Sequence, residues 1–163
     1  MSIVRFISDL HFGHINMAIR RGFTTVDEHD VYIIEQWNKI VNKRDITYIL
    51  GDITMEKTSS YYLLNRLNGT KKVILGNHDK QSPVPELLKY VSFVGGMVQY
   101  KGYILTHCPI HPSQLELRYS KNIHGHVHLN SLGDERYINV SAEVVNYTPK
   151  TLDELKNIEK FKL

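Results

Sequence analysis

Asp9 and His11 in "FISDLHFGH", Asp52 in "YILGD", Asn77 and His78 in "VILGNHDK", His107 in "YILTH", and His126 and His128 in "NIHGHVH" can each bind a metal or move a proton. Each set follows a short apolar run. Residues two apart on extended backbone face the same way, so Asp9 with His11, and His126 with His128, can each present a pair to one pocket. Gly51, Gly76 and Gly125 stand just before ligand candidates, where a missing Cβ allows sharp turns and close backbone approach. Imidazole and carboxylate donors without a thiolate cluster suit Mn, Fe, Zn or Ni better than a closed structural zinc site.

Counting donors sharpens the expectation. Asp9, His11, Asn77, His107, His126 and His128 can each make one bond, and Asp52 has two carboxylate oxygens and can bridge. That is four protein bonds to each of two divalent ions, with positions left for water and substrate. Two ions about 3.5–4 Å apart form the clamp used for phosphoryl displacement by an ion-activated hydroxide. His78 is left over, and an imidazole beside the metals is placed to protonate a leaving alkoxide.

The elements that must position these residues are legible as alternating runs. Ile3 to Ile7 reads as a buried strand, and Glu28 to Lys43 carries apolar residues at helical spacing, with Thr25 or Asp27 as cap. Ile46 to Leu50 is a strand, Ser59 to Leu67 a helix and Lys72 to Leu75 a strand. A short helix over Glu86 to Tyr90 is followed by β-like runs at Val91 to Val94, Met97 to Tyr100, Tyr103 to Thr106, Lys121 to His124 and Tyr137 to Val140. The second half is expected to be more antiparallel and to close with a helix from Leu152 to Phe161. Alternation predicts an α/β layered domain, and in such domains strand ends converge on one edge, where ligands gather.

The 163 residues suffice for one domain, residues 1–163, with a real core. Hydrophobic and charged fractions of 42% and 23% exclude disordered and fibrous classes. The net charge of +3 is unclustered, so nucleic acid is possible but not favoured as a partner. The single cysteine, Cys108, excludes an internal disulfide and suits a cytoplasmic location. No apolar stretch reaches membrane-spanning length.

The ordered series D-x-H, G-D, G-N-H-D, H and G-H-x-H across residues 8 to 128 resembles the calcineurin-like metallophosphoesterases, in particular small bacterial and phage members without a cap domain. The resemblance extends to "WNKIV", "HCPIHP" and "YINVSAEVVNYTP". It implies a four-layer α/β/β/α sandwich and a dinuclear site, Mn²⁺ being the first expectation, that hydrolyses phosphomonoesters or phosphodiesters. One ion would take Asp9, His11, Asp52 and His128, the other Asp52, Asn77, His107 and His126, with His78 meeting the substrate as acid. Many relatives extend G-D to G-D-x-x-D, whose second aspartate supports the acid histidine, and protein phosphatases add Arg-Gly. Here "GDITMEK" puts Met55 at that place and lacks the Arg-Gly, which disfavours a protein phosphatase and leaves the support of His78 unassigned.

A small nucleotide-type substrate is expected, with Asn77, His14, Arg20 and Arg118 as candidate contacts and Arg21 as a further candidate for gripping phosphate. Trp37, Tyr61 and Tyr62 read as core, and Cys108 as a small packed side chain. A nuclease, or a non-catalytic binding scaffold of the same fold, are the alternatives. The scaffold would be marked by broken motifs, and here every candidate ligand position and His78 are present. No oligomer interface is legible.

Overall fold

The structure, a computed structural model, describes residues 2–80 and 83–160. Two sheets flanked by helices make up the α/β architecture. The first sheet has the order β4-β3-β2-β1-β9, with β1 (Val4–Ile7), β2 (Ile46–Ile49), β3 (Thr70–Ile74) and β4 (Phe93–Gly95) parallel and β9 (Lys150–Thr151) antiparallel to β1. The second has the order β5-β6-β7-β8, formed by Val98–Tyr100, Tyr103–Leu105, Lys121–His124 and Tyr137–Asn139. The sheets meet on their apolar faces. Phe6 of β1 lies 5.4 Å edge-on from Tyr100 of β5 and 5.9 Å stacked on Tyr48 of β2.

The flanking helices are α1 (Ile15–Arg20), α2 (Val26–Ile40), α3 (Val84–Leu87) and α4 (Leu152–Lys160). Thr25 caps α2 through a full capping box with Glu28, satisfying free N–H groups of the first turn. The apolar stripe of α2 buries Ile33, Ile34 and Trp37, and the Trp37 indole donates to the Asn68 carbonyl at 3.0 Å. The last residue of the expected C-terminal helix, Phe161, lies outside the described residues.

Several expectations need correction. The segment Thr58–Arg66 is a 3₁₀ helix rather than an α-helix. It buries Tyr61 but leaves Tyr62 57% exposed, so only the first of the tyrosine pair is core. Helix α1, following directly on "FGH", has too few residues for a periodic pattern. The second sheet is also less antiparallel than expected: only β5 pairs antiparallel with β6, whereas β6-β7 and β7-β8 are parallel. The reason is the length of residues 106–120 and 125–136, crossovers long enough to return the chain to the starting end. Parallel pairing has a consequence for the site: β6 and β7 both end at the same edge, which brings His107 and His126 together.

Candidate metal centre

The segments after β1, β2, β3, β6 and β7 converge at one edge shared by both sheets. The backbone continues the ladder there, since Asp9 N–H donates to the Gly51 carbonyl at 3.0 Å, His11 N–H to Asp52 at 3.0 Å, and Gly125 N–H to His107 at 2.9 Å. The segment after β8 closes the group, with Ser8 and Ser141 forming a parallel bridge. Asp9, His11, Asp52, His126 and His128 all adopt positive φ, from 51° to 72°. Left-handed backbone is uncommon outside glycine and clusters at functional sites; it corrects the expectation that Asp9 with His11, and His126 with His128, pair on extended backbone, because each pair sits on left-handed turns past the strand ends.

Gly51 and Gly125 permit the close approach. Gly51 has φ +87°, and a Cβ there would stand 2.5 Å from His107 Nδ1 and 2.6 Å from the Gly76 Cα. A Cβ on Gly125 would collide with Ser8 and the Asp9 carboxylate.

Four acceptor atoms meet in one group. His107 Nδ1–H donates to the Leu50 carbonyl at 2.8 Å, which leaves Nε2 of the neutral ring as a lone pair. That Nε2 lies 2.8 Å from Asn77 Oδ1, 3.2 Å from His126 Nδ1 and 3.3 Å from Asp52 Oδ2. Asn77 Oδ1 is also 2.9 Å from His126 Nδ1. Atoms this close must share ring protons or a cation, and the set suits a divalent ion that displaces those protons. In the metal-free protein a proton on His107 serves: burial alone would lower its pKa, but the hydrogen bond and charge of Asp52 outweigh burial and raise it above 6.5.

The second group is Asp9, His11 and His128 with Asp52. Asp9 Oδ2 is taken up by Ser8 Oγ–H, Ser141 Oγ–H and the His126 N–H, so Oδ1 faces the site. His11 Nε2 lies 3.9 Å from both Asp9 Oδ1 and Asp52 Oδ2, and His128 Nε2 lies 4.0 Å from Asp9 Oδ1. Asp52 Oδ2 thus faces both groups, while Oδ1 accepts the His78 backbone N–H at 3.0 Å. His11 is buried with neither ring nitrogen hydrogen-bonded, which would be costly without a ligand. Burial, partly offset by Asp52, pushes its pKa to about 3, so the ring is neutral and offers a lone pair. The orphaned imidazole and the converging acceptors fit divalent metal.

The floor of the site, Asp9, His11, Asp52 and His107, is buried, whereas Asn77 and His126 are exposed and His128 is half-buried. The site is therefore a bowl open to solvent. His78 stands on its rim, its ring 6.0 Å from that of His11. The acid beside it is Glu56, whose Oε1 is 3.9 Å from His78 Nδ1 and which also pairs with Lys80 at 2.7 Å. Glu56 follows Met55 and has φ 59°. Asp79 instead points away from the His78 ring, into the protein, where it accepts backbone N–H groups of Asp52, Gly76 and Ile53.

His14 lies next to the bowl, its ring 6.1 Å from that of His11. Arg20 is exposed at the mouth of a cleft of about 280 Å³ lined by Met17, Leu129, Tyr147 and His128. Arg118 is exposed in the segment between β6 and β7 and makes no ion pair among the described residues. A similar hollow of about 290 Å³ around Gly69 and Tyr90 lies at the opposite end of the parallel strands and holds no metal-ligating side chain. His124 is a buried structural residue bonded to the Gly125 carbonyl, and His111 caps the 3₁₀ turn Pro112–Leu115. Cys108 corrects the packed reading: it is exposed, with its thiol within 4.8 Å of the ligand nitrogens of His107 and His126. Partial burial, then Asp52 and Asp9, raise its pKa, so it stays a neutral thiol.

Sequence reasoning missed Glu143 as part of the site and gave Arg21 a different role. Glu143 Oε1 accepts from His128 Nδ1–H at 3.0 Å and from Arg21 Nε–H at 2.8 Å. Burial would raise the Glu143 carboxyl, but these bonds and the Arg21 charge hold it at about 2. Arg21, read from sequence as a phosphate candidate, is turned inward, its side chain only 1% exposed. The signal that could have found Glu143 is an acid inside the apolar "INVSAEVV" run.

The chain belongs to the calcineurin-like phosphoesterase family, whose model matches residues 4–162. It is 36% identical to an uncharacterized protein, MJ1445, of Methanocaldococcus jannaschii, over the whole of this chain and 95% of that protein. Among solved structures it resembles a protein of unknown function, AQ665 from Aquifex aeolicus (TM-score 0.74, 25% identity, 97% and 100% of the two chains). It shares its fold with a novel archaeal phosphodiesterase (0.51, 19%, 85% and 81%) and with the Pseudomonas putida nuclease MPE (0.51, 19%, 77% and 61%). The family is metal-dependent, and the fold is the metallo-dependent phosphatase sandwich expected from sequence. No described helix is long and apolar enough to cross a membrane.

Proposed function

We propose that the chain hydrolyses a phosphodiester of a small nucleotide-type substrate at a centre of two divalent ions, with His78 as proton donor. The observation that carries this reading is that Asn77 Oδ1, His126 Nδ1 and Asp52 Oδ2 all lie within 2.8–3.3 Å of His107 Nε2. Asp9, His11, Asp52 and His128 would hold one ion, and Asp52, Asn77, His107 and His126 the other. Ions bound there would polarise a phosphoryl oxygen and supply a water acidic enough to react near neutral pH, with manganese the first candidate.

The chain's own residues do the rest. The four buried candidate ligands, Asp9, His11, Asp52 and His107, form a floor of low exposure where charge interactions are stronger than at the surface. His78 lies outside both ligand groups. Its Nδ1 faces Glu56, so the proton would reach the leaving oxygen from Nε2. Arg20, at the mouth of the cleft beside His128, and His14, beside His11, would meet the part of the substrate away from the scissile bond. Arg118, exposed in the segment between β6 and β7, would meet only a substrate that extends to that segment. A diester is favoured because two proteins of this fold bear the names phosphodiesterase and nuclease, and a small one because the positive charge is unclustered. The single thiol is compatible with action in the cytoplasm.

Metal analysis of the purified protein, with hydrolysis of bis-p-nitrophenyl phosphate and of the corresponding monoester under added Mn²⁺ before and after chelation, tests the proposal. Two ions per chain and chelator-sensitive diester turnover are expected. Turnover of the monoester alone would reverse the diester preference. No metal and no turnover would leave a binding scaffold.

A further inference from the structure

We propose that Arg21 and Glu143 are positioning residues that hold Asp9 and His128 in register around one metal ion; the inference rests on the metal-centre reading above. His128 lies in a half-exposed segment after β7 with φ 51°, and its ring has one hydrogen-bonding partner among the described residues, Glu143, at 3.0 Å. A carboxylate on Nδ1–H fixes the tautomer, leaves the Nε2 lone pair for the ion and makes that nitrogen more basic. Glu143 is in turn fixed by Arg21 Nε–H at 2.8 Å.

The same guanidinium holds the other ligand. Arg21 Nη2–H donates to the Asp9 carbonyl at 2.6 Å, and Nη1 donates to Leu10 at 3.0 Å and lies 2.8 Å from His29 Nε2. His29 Nδ1 lies 2.8 Å from Asp30, which accepts the Gly13 N–H at 2.9 Å. Of the five N–H groups of an arginine, four are therefore used inside the protein. That leaves Arg21 unable to grip a phosphate bidentately and makes it a strut between α1, α2, the turn after β1 and the turn after β8. Asp9 comes from the first sheet and His128 from the second, so nothing in either sheet alone sets their separation. The Arg21–Glu143 pair, 122 positions apart in the chain, spans that joint. With Ser141, which donates to the Asp9 carboxylate, it ties the "YINVSAEVVNYTP" segment, which holds no candidate ligand, to the centre.

The competing view is that the pair merely fastens the two sheets together. Zn²⁺ titration calorimetry on the wild type, Glu143→Ala and Glu143→Gln separates the two, with thermal melting run alongside. Positioning predicts that the alanine variant loses about 100-fold in affinity for one of two ions and keeps the other. The glutamine variant, whose amide oxygen still accepts from both partners, should lose about tenfold. In the zinc-loaded wild type the His128 ring nitrogens should show by ¹⁵N NMR a protonated Nδ1 and a ligated Nε2, and that signature should be lost in the alanine variant. Melting temperatures that fall while both affinities stay within about twofold, far from the 10–100-fold range, would overturn the inference and leave the pair structural. If the alanine variant does not fold, the glutamine affinity decides alone. A wild type that takes up no zinc would overturn the metal-centre reading itself, and this inference with it.

Discussion

Asp79 accepts the backbone N–H of Asp52 at 2.7 Å and so holds in place, from beneath, the carboxylate that faces both ligand groups. It also accepts from Gly76 at 2.9 Å and Ile53 at 3.1 Å, and burial, opposed by these bonds, raises its pKa. Asp79→Asn turns an NH₂ group toward backbone donors. It should cost about 1–3 kcal/mol by leaving a buried donor unpaired and should weaken metal binding as the Asp52 loop relaxes. Urea denaturation and metal analysis check this; a variant as stable as wild type with full metal content would show that the loop needs no such anchor.

Asp52 and His78 are expected to fail differently. Asp52→Asn removes charge from the atom that both groups share, so most activity and one ion should be lost. His78→Ala should keep both ions and slow turnover about 10²–10⁴-fold for a substrate with a poor leaving group, the usual range for a general acid. Unchanged turnover of such a substrate would remove the acid role from His78.

Metal uptake should release protons. In the metal-free protein the pKa of His107 is raised, with Asp52 outweighing burial, and that of His128 is raised chiefly by its hydrogen bond to Glu143. Both rings therefore hold protons to higher pH than a free histidine, and a metal must displace them. Affinity should fall as pH drops through and below neutrality, while His11, neutral down to about pH 3, contributes nothing to that slope. Calorimetry in buffers of different ionisation enthalpy reads the proton count, and zero released protons at pH 6.5 would contradict it.

Glu143 should make the metal-free fold acid-sensitive. Its folded pKa of about 2 lies below the ordinary 4.5, so its contribution is fully present above pH 4.5 and is lost as pH falls from there toward 2. The amount is up to ~3 kcal/mol at 1.36 kcal/mol per unit. Glu143→Gln should flatten the stability curve in that window; an unchanged slope would place acid sensitivity elsewhere.

Gly51→Ala should disrupt the site more than its size suggests. The new methyl meets His107 Nδ1 and the Gly76 backbone in a left-handed conformation that alanine disfavours. The bond from His107 to Leu50 should break, with loss of one ion even where the protein still folds. Crystallography or metal analysis of the variant would reveal an undisturbed site if the backbone can yield.

The sequence by itself determined which residues could be ligands, since Asp9, His11, Asp52, Asn77, His107, His126 and His128 follow apolar strands whose period and termination are local properties. Most strands and the main helix α2 were legible for the same reason. Tertiary structure decided what local pattern does not encode. The parallel return of β7 beside β6 depends on a long crossover, and without it His107 and His126 would end at opposite edges. The left-handed turns at five candidate ligands, the inward fold of Arg21, the reach of Glu143 to His128 and of Glu56 toward His78, and the solvent exposure of Tyr62 and Cys108 all depend on which segments pack together. Those contacts join positions far apart in the chain, where a side chain's neighbours are set by sheet register and packing rather than by its own run of residues.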